Sequence, residues 1–216
     1  MVCCAVDLFT YYRSTSSYRV RIALALKGLD ATAIAVNLVR DGGEHLKSAY
    51  KAINPQCRVP ALRLETGRVL IQSPAIIEYL EERYPEPPLL AKDLELRATQ
   101  RAVAALIACD IHPLHNVSVL NRLRQFGHDE DDVTLWIGHW INQGLAAVEE
   151  MIGPEGFCFG EVPSLADVYL LPQVYAARRF NVDLSQYPRI VRVEQMALTF
   201  QAFQQAHPDA QPDKPE

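Results

Sequence analysis

No stretch of this 216-residue chain approaches the roughly 20 consecutive apolar residues that cross a bilayer, so a membrane partner is not expected. The start, "MVCCAVDLFTYY", has neither a basic segment nor a long apolar core and does not read as a secretory leader. Basic blocks are missing as well. The net charge is −5, which disfavours nucleic acid as a partner. Cysteines are few and odd in number. Cys3, Cys4, Cys57, Cys109 and Cys158 form no C-x-x-C pair and no zinc-type spacing. Reduced thiols, no metal and a cytoplasmic location are the expectation. No segment repeats.

What is present changes character near the middle. Ala5–Phe9 reads as a buried strand, "YRVRIALALKG" as a helix stopped by Gly28, "TAIAVNL" as a second strand and "GEHLKSAYKA" as a second helix. "ALRLE" and "VLI" form a hairpin about Thr66-Gly67, and "SPAIIEYLEERYP" is a helix that Pro74 opens and Pro85 closes. This β-α-β-α-β-β-α order is that of a thioredoxin-like α/β domain, placed at residues 1–85. Residues 86–93, in the proline-rich "PEPPLLAKD", read as a linker. From 94 to 216 the chain reads as all-helical, with periodicity at 94–110, 113–126, 132–152, 164–180 and 187–205. The polar tail "HPDAQPDKPE" is expected to fray.

The stretch "YRSTSSYR" sets four hydroxyl residues, Ser14 to Ser17, at the start of the first helix. In a thioredoxin-like domain this turn carries the C-x-x-C pair. Here Ser14 and Ser17 hold those slots, and serine forms no disulfide. A helix N-terminus with unpaired N–H groups and hydroxyl donors stabilises a thiolate, which points to a thiol carried by a bound ligand. Plain N-capping competes with that reading and accounts for one or two of the four hydroxyls. In "NPQCRVPAL" the Val59-Pro60 bond precedes a strand, where such domains use a cis proline that turns the Val59 backbone toward an extended peptide; a trans proline opening the strand is the alternative. Gln72 and Ser73 stand at another helix start, which is either a seat for a carboxylate or a simple cap. Tyr11 and Tyr12 are weaker candidates for activating a thiol. His112 and His115 have no further ligands at zinc spacing. Ser164-x-x-Asp167 is a structural capping box for a buried helix that Pro172 should kink.

These motifs, together with "LADVYLLPQVYAARRFNVDLSQYPRI" and the closing "HPDAQPDKPE", resemble the zeta class of glutathione transferases, the maleylacetoacetate isomerase family, over nearly the whole chain. The resemblance implies a thioredoxin-like domain followed by an all-helical one, a homodimer, and glutathione as cofactor. Carried across residue by residue, it implies that Ser14 addresses the glutathione sulfur, with Thr15 and Ser16 in the next motif positions and Ser17, Tyr18 and Arg19 continuing the binding stretch. Val59 would pair with the cysteinyl backbone, Gln72 and Ser73 would hold the γ-glutamyl end, and His45 falls near the glycyl end. His112, Asn116, Val117 and Ser118 match further glutathione contacts. Arg13 and Arg179 are candidates for substrate carboxylates, which a guanidinium suits bidentately; Arg178 reads as a solvated surface residue. The chain departs from the family pattern at Thr15, Ser16 and Tyr18, where a second serine, a cysteine, and Trp or His are usual. The implied activity is conversion of maleylacetoacetate to fumarylacetoacetate in tyrosine and phenylalanine breakdown. A maleylpyruvate isomerase, or a transferase acting on small haloacids and electrophiles, would use the same site.

Overall fold

The computed structural model of the chain describes residues 2–215; the side chains of residues 2–5, Cys3 and Cys4 among them, lie outside the described residues. The chain divides into two compact units, one running to Pro88 and resuming at Thr199, the other spanning Leu89–Leu198.

In the first unit β1 (Val2–Thr10) runs parallel to β2 (Leu29–Ala35) and antiparallel to β3 (Ala61–Arg63), which hairpins onto β4 (Val69–Ile71). The sheet order is β2-β1-β3-β4, the mixed thioredoxin-like arrangement expected. Gly67, at φ 82°, makes the hairpin turn in a conformation that costs a side chain. The first helix, α1 (Thr15–Leu26), is buried on nearly every side, including Arg19 and Arg21. It lies on the sheet and packs against both α3 (Ser73–Arg83) and α9 (Gln201–Ala206), so it needs no polar face. The second helix is much shorter than its pattern predicts. Two 3-10 turns, Arg40–Gly42 and Glu44–Leu46, precede a single turn, α2 (Ser48–Lys51). Gly42 and Gly43 take φ values of 79° and 98° ahead of the second 3-10 turn, and Lys47, extended at φ −73°, ψ 151°, separates that turn from α2 and breaks the run.

The second unit is helical: α4 (Leu94–Ala105), α5 (Val117–Gln125), α6 (Glu130–Met151), α7 (Leu165–Arg179) and α8 (Pro188–Thr199). A π turn at Leu106–Ile111 and a 3-10 turn at His112–His115 join α4 to α5. The resulting run, Leu94–Gln125, is long and apolar enough by length and composition to cross a membrane, which no continuous apolar stretch announced. Val103, Ala104, Ile107 and Ile111 are buried as the run packs on α6 and α7, the role of a core helix. The capping box at α7 is structural, as read. Asp167 accepts the N–H of Ser164 and of Cys158, each at 2.8 Å, and the Ser164 hydroxyl at 2.8 Å. The helix continues through Pro172 without a break in its span. Cys57, Cys109 and Cys158 are free thiols.

The division between the units falls inside the expected 86–93 linker, after Pro88, and that segment is packed down: Leu89 and Leu90 are buried, and the fully buried Lys27 ammonium donates to the carbonyls of Tyr84 (2.6 Å) and Pro87 (3.0 Å) and pairs with Glu81 (2.6 Å). Two expectations are corrected. The helical pattern at 187–205 breaks at Phe200, whose extended backbone (φ −93°, ψ 125°) ends α8 and starts α9. The chain from Thr199 therefore joins the first unit rather than the second. Its tail does not fray: Pro208 is buried and Tyr12 donates its N–H to Asp213 at 2.8 Å.

Candidate active site

The hydroxyl turn follows β1 directly. The Ser14 N–H donates to the Tyr11 carbonyl (2.9 Å), and the Ser14 Oγ, at the N-cap of α1, accepts the Ser17 N–H (3.2 Å). The cap occupies an oxygen lone pair and leaves the O–H free to donate. Ser14 is half-exposed, so capping and thiol-directing are compatible roles for one side chain. The N–H groups of Thr15 and Ser16 have no acceptor among the described residues, as the first turn of a helix requires. The place thus combines one O–H, two N–H groups and the positive end of a 12-residue helix dipole. Tyr11 is buried, and burial pushes its phenol above the usual range, so it stays neutral.

The loop before β3 is locked from behind. Val59-Pro60 is cis. The carbonyl before it, that of Arg58, accepts both the Tyr50 hydroxyl (2.7 Å) and the Asn54 amide (2.7 Å). Asn54 Oδ1 in turn takes the Gln56 N–H (2.9 Å). Burial pushes the Tyr50 phenol up to about 12, which keeps it a donor. Neither the N–H nor the C=O of Val59 has a hydrogen-bond partner among the described residues. Gln56 accepts the Gln72 side-chain amide (2.6 Å), tying this loop to the start of α3. Gln72 sits at φ 72°, ψ 115°, a strained conformation of the kind that accumulates at ligand clamps. Behind it, the buried Arg19 guanidinium reaches Ser73 Oγ at 3.5 Å, setting a positive charge under a second helix N-terminus. One chain of contacts therefore runs from Arg58, the residue before Val59, through Asn54, Gln56, Gln72, Ser73 and Arg19 to the helix headed by Ser14. Donors for an anionic sulfur, an unpaired backbone N–H and C=O beside a cis proline and a cationic carboxylate seat fit a small acidic thiol peptide such as glutathione.

The model of the glutathione S-transferase N-terminal domain matches residues 13–83, which contain all of these groups. Over 210 residues the chain is 67% identical to the maleylacetoacetate isomerase of Pseudomonas aeruginosa, covering 97% of this chain and 99% of the relative. The chain belongs to the zeta-class glutathione transferases. Among solved structures of the class, it matches a holo maleyl pyruvate isomerase with TM-score 0.91 at 50% identity, over 97% of this chain and 100% of the other. It matches the maleylacetoacetate isomerase of Anaeromyxobacter dehalogenans, which has GSH bound in its active site, with TM-score 0.88 at 44% identity, over 99% of each chain.

Of the residues a zeta-class site implies, Ser14, Thr15, Ser16, Val59, Gln72 and Ser73 belong to this first unit and its linked loops. Three others in the same stretch turn inward, against the expectation of direct contact. Ser17 is 0% exposed and its hydroxyl has no partner among the described residues. Tyr18, 2% exposed, packs edge-on to His207 (5.9 Å between centroids) and beneath the Arg21 guanidinium (5.4 Å). Arg19, 1% exposed, acts on Ser73 from below. Burial lowers the His45 pKa, and no hydrogen bond joins His45 to the other site groups among the described residues. Arg13 is half-buried, with its guanidinium over the Tyr12 ring at 5.9 Å. In the second unit, His112 stands edge-on to His115 (5.4 Å), and Asn116 caps α5 by accepting the Ser118 N–H (3.2 Å) and hydroxyl (3.0 Å). Val117 is exposed, and Arg179 is exposed with its guanidinium over the Phe180 ring (4.5 Å). Arg178 is not merely solvated; it pairs with Glu194 at 2.7 Å. Sequence reasoning missed Tyr50, Asn54 and Gln56. The Asn-Pro pair at residues 54–55 was a usable signal, because asparagine before proline marks a side-chain-closed turn.

Proposed function

We propose that this protein is a glutathione-dependent cis-trans isomerase that converts maleylacetoacetate to fumarylacetoacetate, working as a cytoplasmic homodimer in tyrosine and phenylalanine breakdown. The observation that carries the proposal is the 67% identity, along 97% of the chain, to a maleylacetoacetate isomerase. When bound, glutathione supplies a thiolate that adds to the cis double bond and departs after rotation. The residues of the chain bind it and tune it. The Ser14 hydroxyl and the N–H groups of Thr15 and Ser16 favour the charged form of the thiol. The Val59 N–H and C=O align the cysteinyl segment in an extended pose. The start of α3, with Gln72, Ser73 and the Arg19 charge behind them, seats a carboxylate. Arg13, beside the hydroxyl turn, offers a guanidinium to an acid group of the substrate. Ser16 stands where the family usually has cysteine, so this turn has no protein thiol of its own and relies on the thiol of glutathione.

The test is turnover of maleylacetone by purified protein with substoichiometric glutathione. Isomerisation without net loss of glutathione is expected, and no turnover rejects the reading. The match to a maleyl pyruvate isomerase favours a second reading, isomerisation of maleylpyruvate. The ratio of kcat/KM values on the two cis acids separates them. Stoichiometric consumption of glutathione with haloacids would instead mark a conjugating transferase. Size-exclusion chromatography with light scattering checks the dimer.

A further inference from the structure

The tail beyond α9 ends on the turn that carries Ser14. Asp213 Oδ2 accepts the Tyr12 N–H at 2.8 Å. The other side of the same residue is held by Arg21: its Nη2 donates to the Tyr12 carbonyl (2.9 Å), its Nη1 to Thr10 Oγ1 (3.1 Å) and its Nε to the Ala206 carbonyl (2.9 Å). The residue two positions before Ser14 is thus clamped at both N–H and C=O, once directly by the tail and once by an arginine fastened to the end of α9. The tail that supplies Asp213 is itself built. Gln211 donates to the carbonyls of Gln205 and His207, each at 2.9 Å, Lys214 pairs with Asp209 at 2.6 Å, and His207 packs on Tyr18.

We propose that Asp213 is a positioning residue for the glutathione site. By holding the Tyr12 peptide, it sets where the Ser14 O–H and the Thr15 and Ser16 N–H groups point, without touching the ligand. A hydrogen bond to an ionised acceptor is about twice as strong as a neutral one, and it acts on a segment with only Arg13 between the clamp and Ser14. Donors that stabilise an anion lose their effect when displaced by about 1 Å. This inference rests on the glutathione reading of the site.

The test compares Asp213→Ala with Asp213→Asn in the full chain. Asparagine keeps an oxygen acceptor for the Tyr12 N–H, and alanine removes it. The alanine variant is expected to raise the KM for glutathione about tenfold and to speed hydrogen exchange at the Tyr12 amide, with the thermal midpoint little changed. The asparagine variant should restore most of both. Alanine with unchanged Tyr12 exchange overturns the clamp. Faster exchange with unchanged glutathione KM overturns its functional role. Equal damage by both variants, accompanied by a lowered midpoint, assigns Asp213 to folding and overturns the proposal as well. Should the unmodified protein fail to isomerise either cis acid, the functional reading fails by itself; Tyr12 exchange and calorimetric glutathione binding still decide the role of Asp213.

Discussion

Replacing Ser14 with alanine removes two interactions whose signatures separate. The first is the N-cap bond from the Ser17 N–H to Ser14 Oγ at 3.2 Å; losing such a cap costs about 1 kcal/mol of stability. The second is the outward O–H offered to a bound thiolate. A hydrogen bond to a charged group contributes about 1.5–3 kcal/mol. At about 1.4 kcal/mol per pKa unit, its loss raises the thiol pKa of bound glutathione by roughly one to two units. The sign follows from which form the donor favours. The O–H stabilises the thiolate, so without it the thiol protonates at a higher pH and the ionised fraction at neutral pH falls. The expected result is a kcat/KM at pH 7 that is about 10- to 100-fold lower and recovers as pH rises. The thiolate absorbance of the bound cofactor should titrate at correspondingly higher pH. Ser14→Thr keeps both a cap and a donor and should retain most activity. An alanine variant that loses about 1 kcal/mol of stability yet keeps its pH profile would show that capping is the whole role of Ser14.

Three further outcomes follow from the same geometry. Asn54→Ala removes one of the donors to the Arg58 carbonyl, leaving the Tyr50 hydroxyl in place, and strips the Gln56 N–H of its acceptor. It should raise glutathione KM several-fold with little change in kcat, measured by steady-state kinetics. Asp167→Ala leaves the buried Cys158 and Ser164 N–H groups unpaired and should destabilise by about 3–5 kcal/mol in urea denaturation. Asp167→Asn, which keeps an acceptor, should cost less. His207 is half-buried, and burial lowers its pKa from the ordinary 6.5, partly opposed by Asp209. The folded state therefore favours neutral His207. Its stabilising contribution is present above pH 6.5 and is lost as pH falls through the lowered value, because the unfolded chain binds the proton first. Thermal midpoints should drop on acidification, and His207→Gln should flatten that slope.

Much of the first unit was legible because its signals are local. Short apolar runs marked the strands, Gly67 marked the hairpin, and hydroxyls at a helix start marked both a cap and a donor cluster. The errors have local physical causes too. The 43–52 stretch kept helical composition, yet an extended Lys47 split it into a 3-10 turn and a single α turn. At 187–205 an unbroken periodicity hid the extended Phe200. Tyr50 and Asn54 escaped notice because a tyrosine and an asparagine gain their meaning only from the carbonyl they share.

The sequence by itself determined the order of elements, the motif that supplies donors to a thiol and the class of protein, since periodicity, turn chemistry and motif spacing act over a few residues. Tertiary structure alone decided which of the four hydroxyls stay accessible, why Arg19 and Arg21 are buried, and which unit owns the tail. Those outcomes depend on groups brought together from far along the chain, as with Tyr12 and Asp213, 201 positions apart. A contact of that span leaves no periodic trace in either segment.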